Sequence, residues 1–352
     1  MSLNAQHPLH ALLSAGRAAW HPLYQGRLVS HLPMAQHALW ALGASSERLQ
    51  AFSEAQVREL EPLVLPWPAP ALLPDWRALR GRAEALPLLV AHFDAELDRQ
   101  PAETLLQATL PELLDGGASM AFHLLIRTAH AWQSGHSGEL ALALGLWASQ
   151  HAPLWRQPLP TPDLALDDWL AAIRALPAPA APPAGLIDER MQAWAATPGF
   201  AQVAARLQLQ APADGLRQLA EWLARAYAAS GNFTLLHGVT GSRALRVLLP
   251  YVTRPKEVVR RFAIDAAAAL LASRWTGEPA APESESAEST DWPLYFEAAG
   301  AQDDEHVIKL VHACAEWALP APAAGRLPMP PQQPSPWAQA ARRALQAQLS
   351  PA

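Results

Sequence analysis

Histidine is the residue type whose placement in this chain could do chemistry. There are thirteen histidines, and several stand within apolar segments rather than among charged residues. Burying a neutral imidazole without a partner costs on the order of a few kcal/mol. A single buried histidine is more often a core residue bonded to the backbone than a ligand, but four local patterns shift that balance. Imidazole binds iron, copper, zinc and nickel, so the patterns indicate a histidine-rich metal site.

Two of the patterns combine a histidine with a helix-start or close-packing signal. Pro33 fits the first turn of a helix, which would place His31 at the N-terminal edge of that helix and His37 within it. Farther along, His237 is followed by Gly238, and a glycine there allows another backbone or side chain to approach closely.

The other two patterns place polar residues on one face of a helix. His123, Arg127 and His130 follow the spacing i, i+4, i+7 and therefore share a face. His306 and Lys309 stand one turn apart behind three acidic residues, which suit a helix N-terminus. A buried polar stripe needs partners, which a metal or a bound substrate would supply.

Familiar catalytic signatures are missing from the sequence. No Glu-x-x-His pair occurs, which disfavours a di-iron carboxylate bundle, and no His-Glu-x-x-His occurs, which disfavours the common zinc peptidases. There is no glycine-rich dinucleotide fingerprint and no phosphate loop. A metal site would therefore be assembled from histidines on distant segments.

The elements that must position these residues are predicted to be helices. Alanine and leucine dominate, strand-forming residues are sparse, and no alternating segment is bounded by hairpin turns. Apolar residues recur at helical spacing in five windows: Met34 to Leu42, Phe122 to Trp132, Leu140 to Trp147, Leu216 to Tyr227 and Val307 to Trp317. We predict an all-α fold with a metal site between helices.

Proline-rich connections separate the predicted helices without dividing the chain. Of the 34 prolines, many fall in residues 62–74 and 153–183. Residues 278–291 are acidic and of low complexity and are predicted to form a mobile loop, and residues 320–336 an extended strap before a short last helix. Because histidine motifs occur on both sides of every such stretch, we predict one large domain over residues 1–352.

Composition limits the partners and the compartment. The net charge is −6, which disfavours broad binding to nucleic acid or anionic membranes. The only cysteine, Cys314, excludes an intrachain disulfide and is predicted to be a small buried core residue. No secretory signal and no run of about 20 apolar residues is visible, so we expect a cytoplasmic protein, with a homodimer as a candidate assembly.

Taken together, the four histidine segments resemble the questin oxidase family, named for fungal enzymes that open anthraquinone-type rings. They occur in the expected order and extend over most of the chain, roughly positions 30 to 312. The segments that carry the resemblance are His31-Leu-Pro-Met-Ala, Ala121-Phe-His123-Leu-Leu-Ile-Arg127-Thr-Ala-His130-Ala, Leu236-His237-Gly-Val-Thr-Gly and Asp304-Glu305-His306-Val-Ile-Lys309.

The resemblance implies a helical oxygenase with a non-haem iron centre. In such a family member, four histidines and a lysine carboxylated on its side-chain nitrogen hold the iron. Transferred by motif, the ligands would be these five residues: His31, His123, His237, His306 and the modified Lys309. His37 in place of His31, and His130 in place of His123, remain alternatives.

The resemblance also implies roles for three further residues and a reaction. Arg127 and Thr240 would orient the ligands or the substrate, and His130 would orient a ligand or act as an acid–base group. With O2, the iron would insert oxygen into an aromatic or polyketide-like ring and cleave a carbon–carbon bond. Some relatives are Baeyer–Villiger enzymes that need a reductant, but without a dinucleotide motif any need for NADPH is expected to be indirect.

Two other functions compete with the oxygenase. One is a histidine-rich metallohydrolase that activates water. The other is a non-catalytic helical binding protein, in which Trp40, Trp132 and Trp147 line a site for a flat ligand. Fourteen tryptophans is a high number, although packing between alanine-rich helices is the favoured role for them.

Overall fold

The protein is described by a computed structural model that covers residues 8–156, 159–179, 184–282 and 291–346. Within these residues the chain forms sixteen α-helices, five short 3-10 helices and one antiparallel pair of two-residue strands. The predicted all-α fold is confirmed, and the helices form a single helical domain.

The elements follow one another along the chain with connections of very different length. The α-helices are α1 Pro8–Ala19, α2 Leu32–Ala41, α3 Ser46–Gln56, α4 Leu86–Arg99, α5 Ala102–Leu113, α6 His123–Ser134, α7 Ser137–Ser149, α8 Leu166–Arg174, α9 Ile187–Ala195, α10 Phe200–Ala204, α11 Pro212–Ser230, α12 Phe233–Leu248, α13 Pro255–Ala272, α14 Trp292–Ala301, α15 Glu305–Ala318 and α16 Pro336–Gln346. The 3-10 helices are Val57–Glu59, Trp76–Leu79, Ala83–Ala85, Leu114–Gly116 and Leu249–Tyr251, and the strands are β1 Leu23–Tyr24 and β2 Leu28–Val29.

Four of these helices surround the polar interior of the molecule. α2 packs on α6 and α15, and α12 packs on the same two helices, so the four close a ring. Each of them carries one of the histidine segments singled out in the sequence, and all five apolar windows lie on helices. The ring therefore brings segments together that are up to 274 residues apart.

Close packing around α12 depends on two glycines. A Cβ atom on Gly238 would lie 3.1 Å from the side chain of Leu223 on α11, and one on Gly241 would lie 3.1 Å from the ring of Phe122. Distances this short leave little room for any side chain. The glycine after His237 thus does permit a close approach, which lets α12 pack deeply between its neighbours.

The connections after α13 and α15 bear on two predicted loops. Residues 320–335 contain neither helix nor strand and are held to the helices by hydrogen bonds from Leu327 N to Ala41 O and from Trp292 Nε1 to Pro331 O. In the predicted acidic loop, residues 278–282 and 291 are described and residues 283–290 lie outside the described residues.

Among the described helices, none is long and apolar enough to cross a membrane. The short hairpin of β1 and β2 was not foreseen from the sequence.

Candidate metal centre

Four histidines meet at one end of the four-helix ring. The centroid of the His31 ring lies 4.6 Å from that of His123 and 4.6 Å from that of His306. His237 completes the group, with ring centroids 4.7 Å from His123 and 5.4 Å from His306. We call His31, His123, His237 and His306, together with Lys309, the open cluster.

A left-handed turn sets His123 at the first position of α6. Met120, Ala121 and Phe122 have φ values of 50°, 55° and 69°, a region that residues other than glycine rarely adopt. Each such residue costs on the order of 1–2 kcal/mol, so packing around the turn must hold it in place. The turn directs the Met120 carbonyl at Nδ1 of His123, which donates a hydrogen bond to it.

His237 is fixed in the same way by its own helix. Its Nδ1 lies 2.8 Å from the carbonyl oxygen of Phe233, one turn earlier on α12. Because a carbonyl oxygen only accepts, the proton of both His123 and His237 must be on Nδ1, which leaves a lone pair on each Nε2. Metal-bound histidines typically have this arrangement, with an oxygen acceptor behind the ring.

The other two histidines are oriented by carboxylates at the start of α15. His31 Nδ1 lies 3.1 Å from Glu305 Oε1, and His306 Nδ1 lies 3.6 Å from a carboxylate oxygen of both Asp304 and Glu305. Asp304 also caps α15 by accepting from the backbone N–H groups of His306 and Val307. The Nε2 atom of His306 is buried and has no hydrogen-bond partner. This nitrogen is a polar atom that a bound ion would satisfy.

The Nε2 atoms of His123 and His237 face each other at 3.2 Å. With both protons on Nδ1, two lone pairs would repel at this distance unless a cation lies between them. Two nitrogens bound to one ion at about 2.1 Å and at right angles are about 3.0 Å apart. One ligand atom each from His31, His123 and His306 also falls within a mutual distance of 4.8 Å. The residues therefore fit a metal ion bound by imidazole.

Lys309 lies one turn after His306 and is 2% exposed. Burial lowers the pKa of its amine to about 8, although Glu305 and Asp304 act in the opposite direction. The charge of Lys309 contributes to the lowered pKa of all four histidines, so its amine is within electrostatic reach of each. A buried amine with a lowered pKa is neutral in a larger fraction of molecules near neutral pH.

The histidines of the open cluster are themselves held neutral. Burial is the largest cause of the lowered pKa of each ring, and it brings the pKa of His123 to about 3. A neutral imidazole is the form that binds a metal, so no proton has to be displaced from these rings at neutral pH.

A cavity of about 400 Å³ opens directly onto the open cluster, and we call it the inner cavity. His31, His123, His237 and His306 form one wall, and the other walls are mainly apolar. Phe233 is 53% exposed, and its ring meets those of His237 and His306 edge-on at 4.8 and 4.6 Å. Together with Tyr24, it gives the cavity two aromatic surfaces. A volume in this range suits a small molecule of a few rings.

A second group of histidines lies deeper in the same ring of helices. His37, His130 and His312 are 1–3% exposed, and their ring centroids are 5.1–5.5 Å apart. His37 and His130 share a hydrogen bond of 2.9 Å between their Nδ1 atoms. Burial lowers the pKa of all three, that of His37 to about 3. We call these three the closed cluster, since none of them lines the inner cavity.

A buried ion pair borders the closed cluster. Arg243 donates to the carboxylate of Glu316 and to the side-chain oxygen of Gln133, with Arg243 and Glu316 at most 1% exposed. Gln133 donates in turn to Glu316 and to the carbonyl oxygen of Ala323. The network joins α6, α12, α15 and the strap that follows α15, so it fixes the inner end of the ring.

The structure brings the four predicted histidine ligands together and buries Lys309 one turn after His306, but it does not bring the three residues predicted to act beside them to the inner cavity. Arg127 is 3% exposed and donates to both carboxylate oxygens of Glu139, at 2.7 and 3.1 Å. Thr240 donates within α12, to the carbonyl oxygens of Leu236 and His237 at 3.1 and 3.3 Å. None of Arg127, His130 and Thr240 lines the inner cavity, nor does any tryptophan.

Sequence reasoning missed several residues around the cavity. The acidic residues before His306 lie at a helix N-terminus, as predicted, but Glu305 also orients His31. Phe233, Tyr24 and Arg190 line the cavity and were not singled out. For Phe233 a signal existed, because it stands one helical turn before His237 and so shares a face with it. Tyr24 and Arg190 come from the short hairpin and from α9, which carried no motif.

Comparison with families of known proteins gives a match over most of the chain. The model of the family described as Questin oxidase-like matches residues 28–314, which include every residue of the open and closed clusters. A comparison with the curated proteins found no match to this chain.

Proposed function

The chain belongs to the questin oxidase-like family, and we propose that it is a non-haem iron oxygenase that cleaves an aromatic, polyketide-like ring. The family implies an oxidoreductase of the oxygenase type acting on aromatic polyketides. The observation that carries the proposal is the geometry of the open cluster: four histidines with oxygen groups near Nδ1 lie beside an apolar cavity, and ligand atoms of three of them lie within 4.8 Å of one another.

His31, His123, His237 and His306 would hold the metal, with Lys309 as the fifth ligand. Fe2+ bound there would supply the activation of O2. An ammonium group has no lone pair for a metal, so Lys309 must first be modified. Its neutral amine adds to CO2, which forms a nitrogen–carbon bond and releases one proton, and the carbamate then offers oxygen atoms. The lowered pKa of Lys309, about 8, favours the amine that this step requires.

The chain itself would bind the ring and exclude water. Phe233 and Tyr24 offer aromatic surfaces, and a ring stacked on either would lie against the wall of histidines. Offset and edge-on contacts between aromatic rings contribute about 0.5–1.5 kcal/mol beyond the burial of apolar area. The apolar walls of the inner cavity would displace water from the surfaces of the ring that they contact.

Two reaction types fit the family and differ in how they use O2. A dioxygenase reaction places both oxygen atoms in the product. A Baeyer–Villiger-type insertion places one atom next to a carbonyl group, and the other needs two electrons from a reductant such as NADPH to become water. The sequence has no dinucleotide fingerprint, so we propose that any NADPH acts indirectly.

Metal analysis of the purified protein tests the proposal. We expect about one iron per chain after anaerobic loading, and loss of that iron in both His237→Ala and His306→Ala. His312→Gln is the matched control, because His312 lies on α15 like His306 but belongs to the closed cluster. This variant should keep its iron.

The outcome also separates the competing functions. Iron together with O2 uptake in the presence of planar aromatic compounds supports the oxygenase. Bound zinc with hydrolysis of esters would favour the metallohydrolase instead. A wild-type protein that stays metal-free after anaerobic loading would contradict the metal centre and leave a helical binding protein.

A further inference from the structure

A second cavity adjoins the inner cavity and has a different chemical character. Its volume is about 380 Å³, and we call it the outer cavity. Gly185, Arg190 and Phe233 line both cavities, so the two meet at these residues. The residues that line only the outer cavity are Ala184, Asn232, Thr234, Ala272, Ser273 and Arg274.

The lining of the outer cavity is cationic. Arg190 and Arg274 contribute two guanidinium groups, and no carboxylate occurs among the described residues that line it. The inner cavity adds Arg27, which forms an ion pair with Glu189, and one carboxyl group, Asp188. Burial raises the pKa of Asp188. Arg190, where the two cavities meet, would therefore attract a negatively charged ligand.

Arg190 stands at the junction and has no carboxylate partner within the described part of the chain. Its guanidinium donates to the carbonyl oxygen of Gly185 at 2.9 Å and to Oγ1 of Thr234 at 3.3 Å, both of them neutral acceptors. Its Nε atom is buried and has no hydrogen-bond partner. The described part of the chain supplies no anion to Arg190. Hydrogen bonds between two charged groups are stronger than those to neutral acceptors, so a bound anion would form stronger hydrogen bonds with Arg190 than Gly185 and Thr234 do.

Other arginines also have a buried guanidinium nitrogen without a hydrogen-bond partner, but each of them lacks another feature of Arg190. Four of them are paired with a carboxylate: Arg17, Arg127, Arg174 and Arg243. Arg260 donates to carbonyl oxygens and lines neither cavity. Among these residues, Arg190 therefore combines three features: a missing counter-charge, a buried free N–H and a position on a cavity.

We propose that the substrate is an anion whose acidic group is bound by Arg190 in the outer cavity while its flat ring lies in the inner cavity. This inference rests on the proposed function, because it assumes that the ring reacts beside the open cluster. Phe233 would lie between the two parts, with its ring against His237 and His306 on one side and the outer cavity on the other. The acidic group would thereby fix which edge of the ring faces the histidines.

Binding of a matched pair of probes tests this inference without any catalysis. The probes are anthracene-2-carboxylate and its uncharged carboxamide, and their fluorescence reports binding to the purified wild-type protein. We expect the carboxylate to bind about tenfold more tightly or better, as a charge-assisted pair would provide. In Arg190→Gln this preference should disappear, while the affinity for the carboxamide stays the same and shows that the cavity is intact.

Three further variants control the experiment. Arg190→Lys keeps the charge without the planar fork and should retain part of the preference. Arg274→Gln should reduce it, which provides a second measurement if Arg190→Gln fails to fold. Arg217→Gln should leave it unchanged, because Arg217 pairs with Glu221 on α11 and lines neither cavity.

Equal affinities for the two probes in the wild type, or no binding of either, overturn the inference. So does a preference that survives in a folded Arg190→Gln variant. Iron content is measured on the same samples. If the protein binds iron but shows no preference for the carboxylate, the proposed function stands and this inference is wrong. If it shows the preference but binds no iron, this inference stands and the proposed function is wrong.

Discussion

The open and closed clusters are two layers of the same four helices. Three helices give one histidine to each layer: His31 and His37 at α2, His123 and His130 on α6, and His306 and His312 on α15. The members of each pair are six or seven residues apart, about two helical turns, so the layers are about 10 Å apart along the helices. They differ at the fourth helix, where α12 gives His237 to the open cluster and Arg243 to the border of the closed one.

That fourth residue decides what each layer can do. Arg243 keeps its charge in a protein. Burial is the main cause of the lowered pKa of His37, His130 and His312, and the charge of Arg243 lowers it further. The charge of Arg243 is balanced by the carboxylate of Glu316, so this layer already contains a complete ion pair. Lys309 in the open cluster can lose its proton, since burial lowers its pKa to about 8. We therefore expect the first layer to be closed by its ion pair and the second, which opens onto a cavity, to accept an ion.

The largest expected effect comes from removing the buried cation of each layer in the metal-free protein. Arg243→Met leaves the carboxylate of Glu316 buried and unpaired, which should lower the free energy of unfolding by about 3–5 kcal/mol. Lys309→Met removes a cation that burial already disfavours, so stability should stay the same or rise. Urea denaturation of both variants measures the difference.

A double variant controls this comparison. Arg243→Met combined with Glu316→Leu replaces the pair by apolar groups and should recover most of the lost stability. Equal destabilisation by Arg243→Met and Lys309→Met would show that the two layers are not distinguished by their cations.

Glu305 offers a test of how the open cluster orients its ligands. Its carboxylate accepts from Nδ1 of His31, and removal of such a partner typically weakens metal binding about 10–100-fold. We expect this loss for Glu305→Ala, measured by competition with a chelator. Glu297→Ala, at an exposed position on α14, should bind the metal as the wild type does. An unchanged affinity in Glu305→Ala would mean that His31 is held without its carboxylate.

The pH dependence of stability tests the closed cluster. His37 is neutral in the fold, with a pKa lowered from 6.5 to about 3, and takes up a proton on unfolding below pH 6.5. Its contribution to stability is therefore complete above pH 6.5 and is lost as the pH falls toward 3, by about 1.4 kcal/mol per pH unit. Replacement by glutamine, His37→Gln, should remove this slope.

The measurement is the free energy of unfolding of the metal-free protein between pH 8 and 5. Wild type and His37→Gln should have parallel curves above pH 7 and converge below it, even if the variant is less stable throughout. Parallel curves down to pH 5 would mean that the fold does not lower the pKa of His37.

The sequence allowed the helices and the open cluster to be predicted for the same physical reason. Residues that share a helix face are three, four or seven positions apart, so His306 and Lys309 could be placed together from their spacing alone. The order of the segments and the family resemblance then joined His31, His123, His237 and His306, and the structure does bring them within contact of one another.

Spacing along one helix does not show how far a residue lies from the cavity. The roles predicted for Arg127 and His130 depended on that distance. His123, Arg127 and His130 share a face, as expected, but this face runs from the cavity to the interior. Arg127 meets Glu139 of α7 there, and His130 meets His37, contacts between elements that a single-helix pattern does not contain. Tyr24 and Arg190 reach the cavity from a hairpin and a short helix that carry no periodic signal.

The smallest expected effect is on ligand binding, from a change at Phe233. This residue tests whether an exposed aromatic side chain in the cavity serves binding, whereas the buried core serves stability. Its ring is 53% exposed beside the open cluster, so Phe233→Leu should change the free energy of unfolding little. The same variant should weaken binding of anthracene-2-carboxamide about three- to tenfold, since an aromatic contact contributes about 0.5–1.5 kcal/mol. Phe233→Tyr keeps the ring and should bind normally. Fluorescence titration measures all three proteins, and unchanged binding in Phe233→Leu would place the flat ring of the ligand against Tyr24 instead.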